Sequence, residues 1–191
     1  MIRYTTTVEV SGLSSKDVYD FLINCTDTQY QRWWLGTHLA FHTIKRTPTN
    51  IGNLVYMDEY VGDFHLKFYA VVKEVVPNRT ITWQMRKFGV LLPAWLNLNL
   101  SDTDTGITII HSVSAGFHGI GRFLDVLLRL YLSSKFEQQM AAHAHTEFHK
   151  LRALLREPEN PLGPFACSVE QTRSHAAHER HLHQRRVRPG T

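Results

Sequence analysis

The hydrophobic period changes once along this chain, close to Gly119, and that change limits what the chain can fold into. Before it, apolar side chains recur at every second residue, the period of a strand with one buried face. After it they recur about every 3.6 residues, the period of a helix. Residues 2–10 set the first pattern, with Ile2, Tyr4, Val8 and Val10 against Arg3, Thr5, Thr7 and Glu9. Ser14 or Ser15 can cap a short helix through Val18, Phe21 and Leu22. An aromatic-rich connection over 27–38 follows, and then strands are predicted over 39–46, 53–61, 64–76, 80–87, 94–101 and 106–115. Pro48 to Gly52, Gly62-Asp63, Pro77-Asn78 and Asp102 to Gly106 punctuate them as turns. Residues 120–156 read as one long helix, with a possible bend at Ser133-Ser134.

Strands in hairpin succession followed by a helix imply an α+β fold: a curved seven-stranded antiparallel sheet around a long C-terminal helix, with a cavity between them. The domain expected is 1–156. Beyond Arg156 the periodicity stops, and Pro158, Pro161, Gly163 and Pro164 mark a break. Residues 157–191 are expected to form a disordered His/Arg-rich tail, too poor in apolar side chains to offset the entropy of ordering.

Composition narrows the function classes. The net charge of +4 is small and scattered, which argues against a nucleic-acid partner. Two cysteines without paired spacing give no disulfide framework or thiolate metal site, which fits a reducing compartment. The first residues lack the apolar core of a signal peptide. The most apolar helical stretch, Phe123 to Leu132, is broken by Asp125 and Arg129, so no membrane span is expected. The expected location is the cytoplasm, and the expected partner is a small hydrophobic molecule. The oligomeric state is left open.

One face of the helix carries chemistry. Phe136, Met140, His143, Glu147, Leu151 and Leu154 fall on a single stripe. The stripe is apolar except at its middle, where an imidazole and a carboxylate stand four residues apart and reach one common point. Burying such a pair without a partner is costly, and a metal ion is one candidate partner. His145 and His149 share the same spacing but lie about 200° around the axis, on the outer face. His42, His65, His111 and His118 fit no spacing and read as structural or exposed. The tail histidines, His175, His178, His181 and His183, read as part of a solvated segment.

The element order and the segments Val18-Tyr-Asp-Phe-Leu22 and Glu74-Val-Val-Pro-Asn-Arg-Thr80, over about residues 2–156, resemble the helix-grip superfamily, also called START-like or SRPBCC. Three further segments are similar to one branch of it, the zinc-dependent 2,4-diacetylphloroglucinol hydrolases. They are Tyr30-Gln-Arg-Trp33-Trp-Leu-Gly-Thr-His38, Tyr56-Met-Asp-Glu59 and His143-Ala-His-Thr-Glu147. This resemblance implies His38, Glu59, His143 and Glu147 as metal ligands. The metal would be zinc, with iron or manganese as alternatives for a set of two imidazoles and two carboxylates. Two departures bear on the substrate: Trp34-Leu35 stand where the branch has His-Pro, and Thr146 stands where a second acidic residue is common.

Three functions follow as expectations. The first is a metal-dependent hydrolase of a small, apolar, aromatic or polyketide-like ketone, with Tyr30 orienting the substrate through its hydroxyl. The second is a non-catalytic carrier of hydrophobic ligands or lipids. The third is a metal-free polyketide cyclase or dehydratase with Glu59 or His143 as general base. In each, Trp33, Trp34, Phe64, Phe68, Trp83, Trp95 and Leu98 are expected to line the cavity.

Overall fold

The computed structural model describes residues 1–156 apart from 118, 120–122 and 124. The expected tail, with its histidines, and His118 lie outside the described residues. Seven strands form one sheet: β1 (Ile2–Ser11), β2 (His38–Lys45), β3 (Leu54–Val61), β4 (Phe64–Val76), β5 (Thr80–Lys87), β6 (Val90–Thr103) and β7 (Gly106–Ala115). Their order across the sheet is β1-β7-β6-β5-β4-β3-β2, antiparallel throughout. Consecutive strands from β2 to β7 are hairpin neighbours. A long crossover joins β1 to β2, at opposite edges of the sheet, through α1 (Ser15–Asn24) and α2 (Asp27–Trp33).

Local chemistry starts both crossover helices. Ser14 caps α1 and Thr26 caps α2, each with a reciprocal bond from the third helical residue, Asp17 and Gln29 respectively. The stretch expected as a connection over 27–38 is therefore helical in its first half. A seven-residue helix spans only two turns, too few for its stripe of Tyr30 and Trp33 to register as a period.

The C-terminal helix differs from expectation in one respect. It is two helices, α3 (Asp125–Tyr131) and α4 (Ser134–Arg156). Ser133 breaks the run, because its hydroxyl accepts from the Phe136 amide and its carbonyl from the Glu137 amide, the geometry of a helix start. β6 also begins earlier than expected. Phe88-Gly89 form a two-residue turn between the paired Lys87 and Val90.

Register shifts in β2, β4 and β5 bend the sheet, and α4 packs along its concave face. One buried cluster joins α1, α2 and the C-terminal half of α4 (Ala144, Phe148, Leu151) to the sheet. A second joins the N-terminal half of α4 (Phe136, Met140) to Val61, Leu66, Val113 and Ala115. Each fully buried large apolar side chain contributes about 1.5–3 kcal/mol, so the two clusters fix α4 at both ends. Between them lies a cavity of about 390 Å³. Among the described residues, no helix is long and apolar enough to cross a membrane.

Candidate metal centre

Four polar side chains from three elements converge where α2, the edge of the sheet and α4 meet. His38 opens β2, right after the turn that ends α2, where its amide donates to the Trp34 carbonyl at 2.9 Å. Glu59 stands opposite His38 in the β2–β3 register. His143 and Glu147 come from adjacent turns of α4. His143 Nε2 lies 3.1 Å from Glu147 Oε2 and 3.8 Å from Glu59 Oε2, and His38 Nε2 lies 3.9 Å from the same Glu59 oxygen. One ligand atom each from His38, Glu59 and His143 fall within 4.8 Å of one another.

Aromatic rings hold this group in place. Tyr30 lies flat against the His38 ring, with centroids 4.0 Å apart and planes 7° from parallel. Trp33 meets the same imidazole edge-on at 4.7 Å, and Trp34 stacks on His143 at 4.8 Å. The Tyr30 hydroxyl donates to Glu59 Oε2. The Trp33 indole N–H donates to the Glu147 backbone carbonyl at 2.6 Å. Only 1% of His38 and 5% of His143 is exposed, whereas His145 and His149 are open to solvent.

Burial sets the electrostatics. Loss of water drives the His38 imidazole to the neutral form, with a pKa down to about 4. Burial, and then the negative charge of Glu147, raise the Glu59 carboxyl well above its ordinary value. Burial also opposes ionisation of Glu147, but the hydrogen bond and charge of His143 overcome it and hold that carboxyl low. Burial works against the charged form of His143, and Glu147 and Glu59 outweigh it, so its pKa rises.

Both ring nitrogens of His38 and Nε2 of His143 are buried without a well-aligned hydrogen-bond partner. An unsatisfied buried polar group costs about 1–3 kcal/mol, so this cluster is expensive as it stands. A divalent cation fits it. One donor atom each from His38, Glu59 and His143 lies close enough to the others to share an ion, and Glu147 stands beside His143. The three separations above bracket the roughly 3.3 Å between neighbouring ligand atoms of a tetrahedral zinc with bonds of about 2.0–2.1 Å.

The cavity extends from this cluster. Trp33, Phe68, Trp83 and Leu98 line it as expected, with Tyr30, Glu59, His143 and Glu147 at one end. Three expected wall residues lie elsewhere. Trp95 is on the outer face of the sheet beside Asn97 and Ser114, because residues of β6 alternate and Leu96, Leu98 and Leu100 take the inner face. Phe64 packs edge-on against Phe136 at 5.2 Å, inside the second cluster. Trp34 stacks on His143, with the Lys150 ammonium 5.5 Å from its ring centre, so it roofs the cluster rather than the cavity. His111, read from sequence as having no place in the pattern, is buried on the cavity wall. Burial lowers its pKa, leaving a neutral imidazole within reach of the Glu147 charge. Parity would have found it, since Ile107, Ile109, His111, Val113 and Ala115 form one inward stripe of β7. His42 and His65 lie outside the cluster, paired with Asp27 and Asp58.

No protein-family model matches the chain, and no curated protein matches it. Solved structures do. The di-domain ARO/CYC protein StfQ from the steffimycin biosynthetic pathway aligns with a TM-score of 0.56 at 18% identity, over 80% of this chain and 50% of that one. Ara h 8.0201 aligns with a TM-score of 0.54 at 11% identity, over 81% of this chain and 97% of that one. A protein of unknown function, SA2116 from Staphylococcus aureus, aligns with a TM-score of 0.53 at 7% identity, over 82% and 96%. At these identities the likeness is one of fold, and the fold is the helix-grip fold.

Proposed function

We propose that this helix-grip protein is a metal-dependent hydrolase that cleaves a carbon–carbon bond beside the carbonyl of a small, largely apolar ketone. The observation that carries this reading is the buried His38 imidazole, with neither ring nitrogen hydrogen-bonded, grouped with His143, Glu59 and Glu147 at the end of an apolar cavity. His38, Glu59, His143 and Glu147 would hold the metal, zinc fitting the donor set and spacing best and iron or manganese fitting its chemistry. When bound, such a metal supplies a Lewis acid for a ketone oxygen and lowers the pKa of water towards about 7.

The remaining work falls to the chain itself. The walls built by Phe68, Trp83, Leu96 and Leu98 hold the apolar body of the ligand and exclude bulk water. Tyr30 fixes Glu59 through its hydroxyl, and Trp33 fixes the turn of α4 that carries Glu147. His111 presents a neutral imidazole on the wall, where a ring N–H can be offered to the ligand. In the overall reaction, water adds its oxygen to the acyl carbon and a proton ends on the carbon that leaves. The products are a carboxylic acid and a shortened apolar molecule.

The fold comparisons favour a plainer second reading, a binding protein or metal-free cyclase for hydrophobic ligands. Their support is the shared fold with an ARO/CYC protein and with Ara h 8.0201. Metal content separates the two readings. Protein purified without a polyhistidine tag, after removal of residues 157–191, should carry close to one equivalent of metal. His143→Ala should carry none. Wild type that carries no metal, or that turns over apolar ketones equally well without one, would sink the hydrolase reading in favour of the second.

A further inference from the structure

The cavity reaches the surface on the side of the β5–β6 hairpin, where half-exposed His65 and exposed Lys67 belong to its lining together with Lys87 and Leu92. α3 borders the same opening through Leu128. This hairpin projects past the rest of the sheet. β4 pairs with β5 only as far as Arg86, and the last β7-side bond to β6 runs from the Gly116 amide to the Pro93 carbonyl. Its tip exposes Phe88, Val90 and Leu91, and the α3 side exposes Phe123 and Val126.

Phe88 is the sharpest oddity. It is 93% exposed and has a φ of 49°, followed by Gly89 at 82°. Positive φ at both central residues of a two-residue hairpin is the pattern that favours Asn-Gly, and a bulky aromatic residue there is strained. Among the described residues the ring is left to solvent, with the Lys87 ammonium of its neighbour 5.6 Å from the ring centre. A strained backbone position that presents an apolar ring to water has no folding rationale, and it invites a functional one.

The surroundings say what covers it. Between Arg79 and Asp102 the sequence holds no acidic residue, and Arg86 and Lys87 flank the tip. Exposed Arg129 adds a cation on α3. The tip is a protrusion, not a groove, so it suits a deformable surface better than a preformed protein pocket. We propose that this face docks on a lipid bilayer bearing anionic headgroups. Phe88, Val90 and Leu91 enter the interface, Arg86 and Lys87 meet the headgroups, and the cavity mouth faces the layer in which an apolar ligand is dissolved. The arrangement holds whether or not a metal is bound.

The full chain is tested by co-sedimentation with vesicles of phosphatidylcholine alone and with vesicles containing phosphatidylglycerol. Asparagine tolerates positive φ, so Phe88→Asn keeps the turn, and its melting temperature should match or exceed that of the wild type. The wild type should sediment with the phosphatidylglycerol vesicles. Phe88→Asn should bind them at least roughly tenfold more weakly, the scale of one buried aromatic side chain. Arg86→Gln with Lys87→Gln should lose the preference for anionic lipid. Residues 157–191 are the same in all variants, so any affinity of that basic segment cancels. Equal binding by wild type and Phe88→Asn, or no binding by either, overturns the proposal. A wild-type dimer in analytical ultracentrifugation that Phe88→Asn dissolves would also overturn it, since the face would then be an interface between copies.

Discussion

The indole N–H of Trp33 donates to the backbone carbonyl of Glu147 across 2.6 Å, tying the last turn of α2 to the turn of α4 that carries a candidate ligand. The same indole meets the His38 ring edge-on. One side chain thus sets the distance between two walls of the candidate metal centre. Such supporting contacts orient ligands that the metal alone would leave free to rotate.

Trp33→Phe should separate these roles. The ring packing survives and the hydrogen bond is lost, for a cost of about 0.5–1.5 kcal/mol in a urea titration. Metal affinity should weaken roughly tenfold or more, as for other second contacts to ligands. Calorimetric titration of the chelator-treated protein measures it. Unchanged affinity would mean that Glu147 is held by α4 alone.

Metal and stability should be coupled. A ligand that binds only the folded state stabilises it by about 2.7 kcal/mol at a hundred times Kd. Chelator should therefore lower the melting temperature of the wild type, and added zinc should restore it. In His143→Ala, Glu147→Gln, His38→Ala and Glu59→Gln the response should vanish. His145→Ala and His149→Ala should respond like the wild type, because both side chains face solvent. Loss of the response in those two variants alone would move the metal to the outer face of α4.

His38 should take stability from the metal-free protein in mild acid, against the opposite pull of Glu59, whose carboxyl is raised to about 7. The share of His38 is therefore read only by comparison with a variant. The unfolded chain binds a proton at His38 near pH 6.5, the folded chain only near pH 4. Between these values the unfolded state holds more protons, so stability is full above about pH 6.5 and drains away as the pH falls towards about 4. The limit is about 3 kcal/mol. His143 works in the opposite sense. Its carboxylate neighbours outweigh burial and raise its pKa, so its contribution is present below about pH 6.5 and is lost as the pH climbs above its folded value. Comparison with His38→Phe, which keeps a flat ring between Tyr30 and Trp33, isolates the first effect. Parallel pH–stability curves for the two proteins would show that His38 is not the group that titrates.

Much of this site was legible because it lies on periodic elements. His143 and Glu147 share a helical stripe with Met140 and Leu151, and the stripe alone separates them from His145 and His149. The inward face of β3 placed Glu59 in the same way. Trp95 failed because it was chosen for its residue type, although Leu98 three positions on must take the opposite face of a strand. His111 was missed for want of the same parity argument on β7. Ser133-Ser134 marked a bend in the last helix but not a break, which the hydroxyl bond from the Phe136 amide to Ser133 makes plain. The convergence of His38 with α4 is tertiary, set by the packing of Trp33 and Trp34, and no local pattern encodes it.

The parity of β6 also yields a direct test of where ligands go. Leu98 faces the cavity opposite His111 in the β6–β7 register, and Trp95 faces outward opposite Ser114. An apolar fluorescent probe such as anilinonaphthalene sulfonate should bind in the cavity, whose 390 Å³ is within the range of small-molecule sites. Leu98→Phe adds volume inside that space. It should weaken the probe roughly tenfold at a stability cost of at most about 1–3 kcal/mol, since the new ring extends into a void rather than into packed atoms. Trp95→Leu removes an aromatic ring from the outer face and leaves the cavity untouched, so probe affinity should stay within about twofold. The reverse result, with the probe lost in Trp95→Leu and kept in Leu98→Phe, would place binding on the convex face of the sheet. The metal centre would then have no ligand beside it, and the hydrolase reading would fail with the cavity.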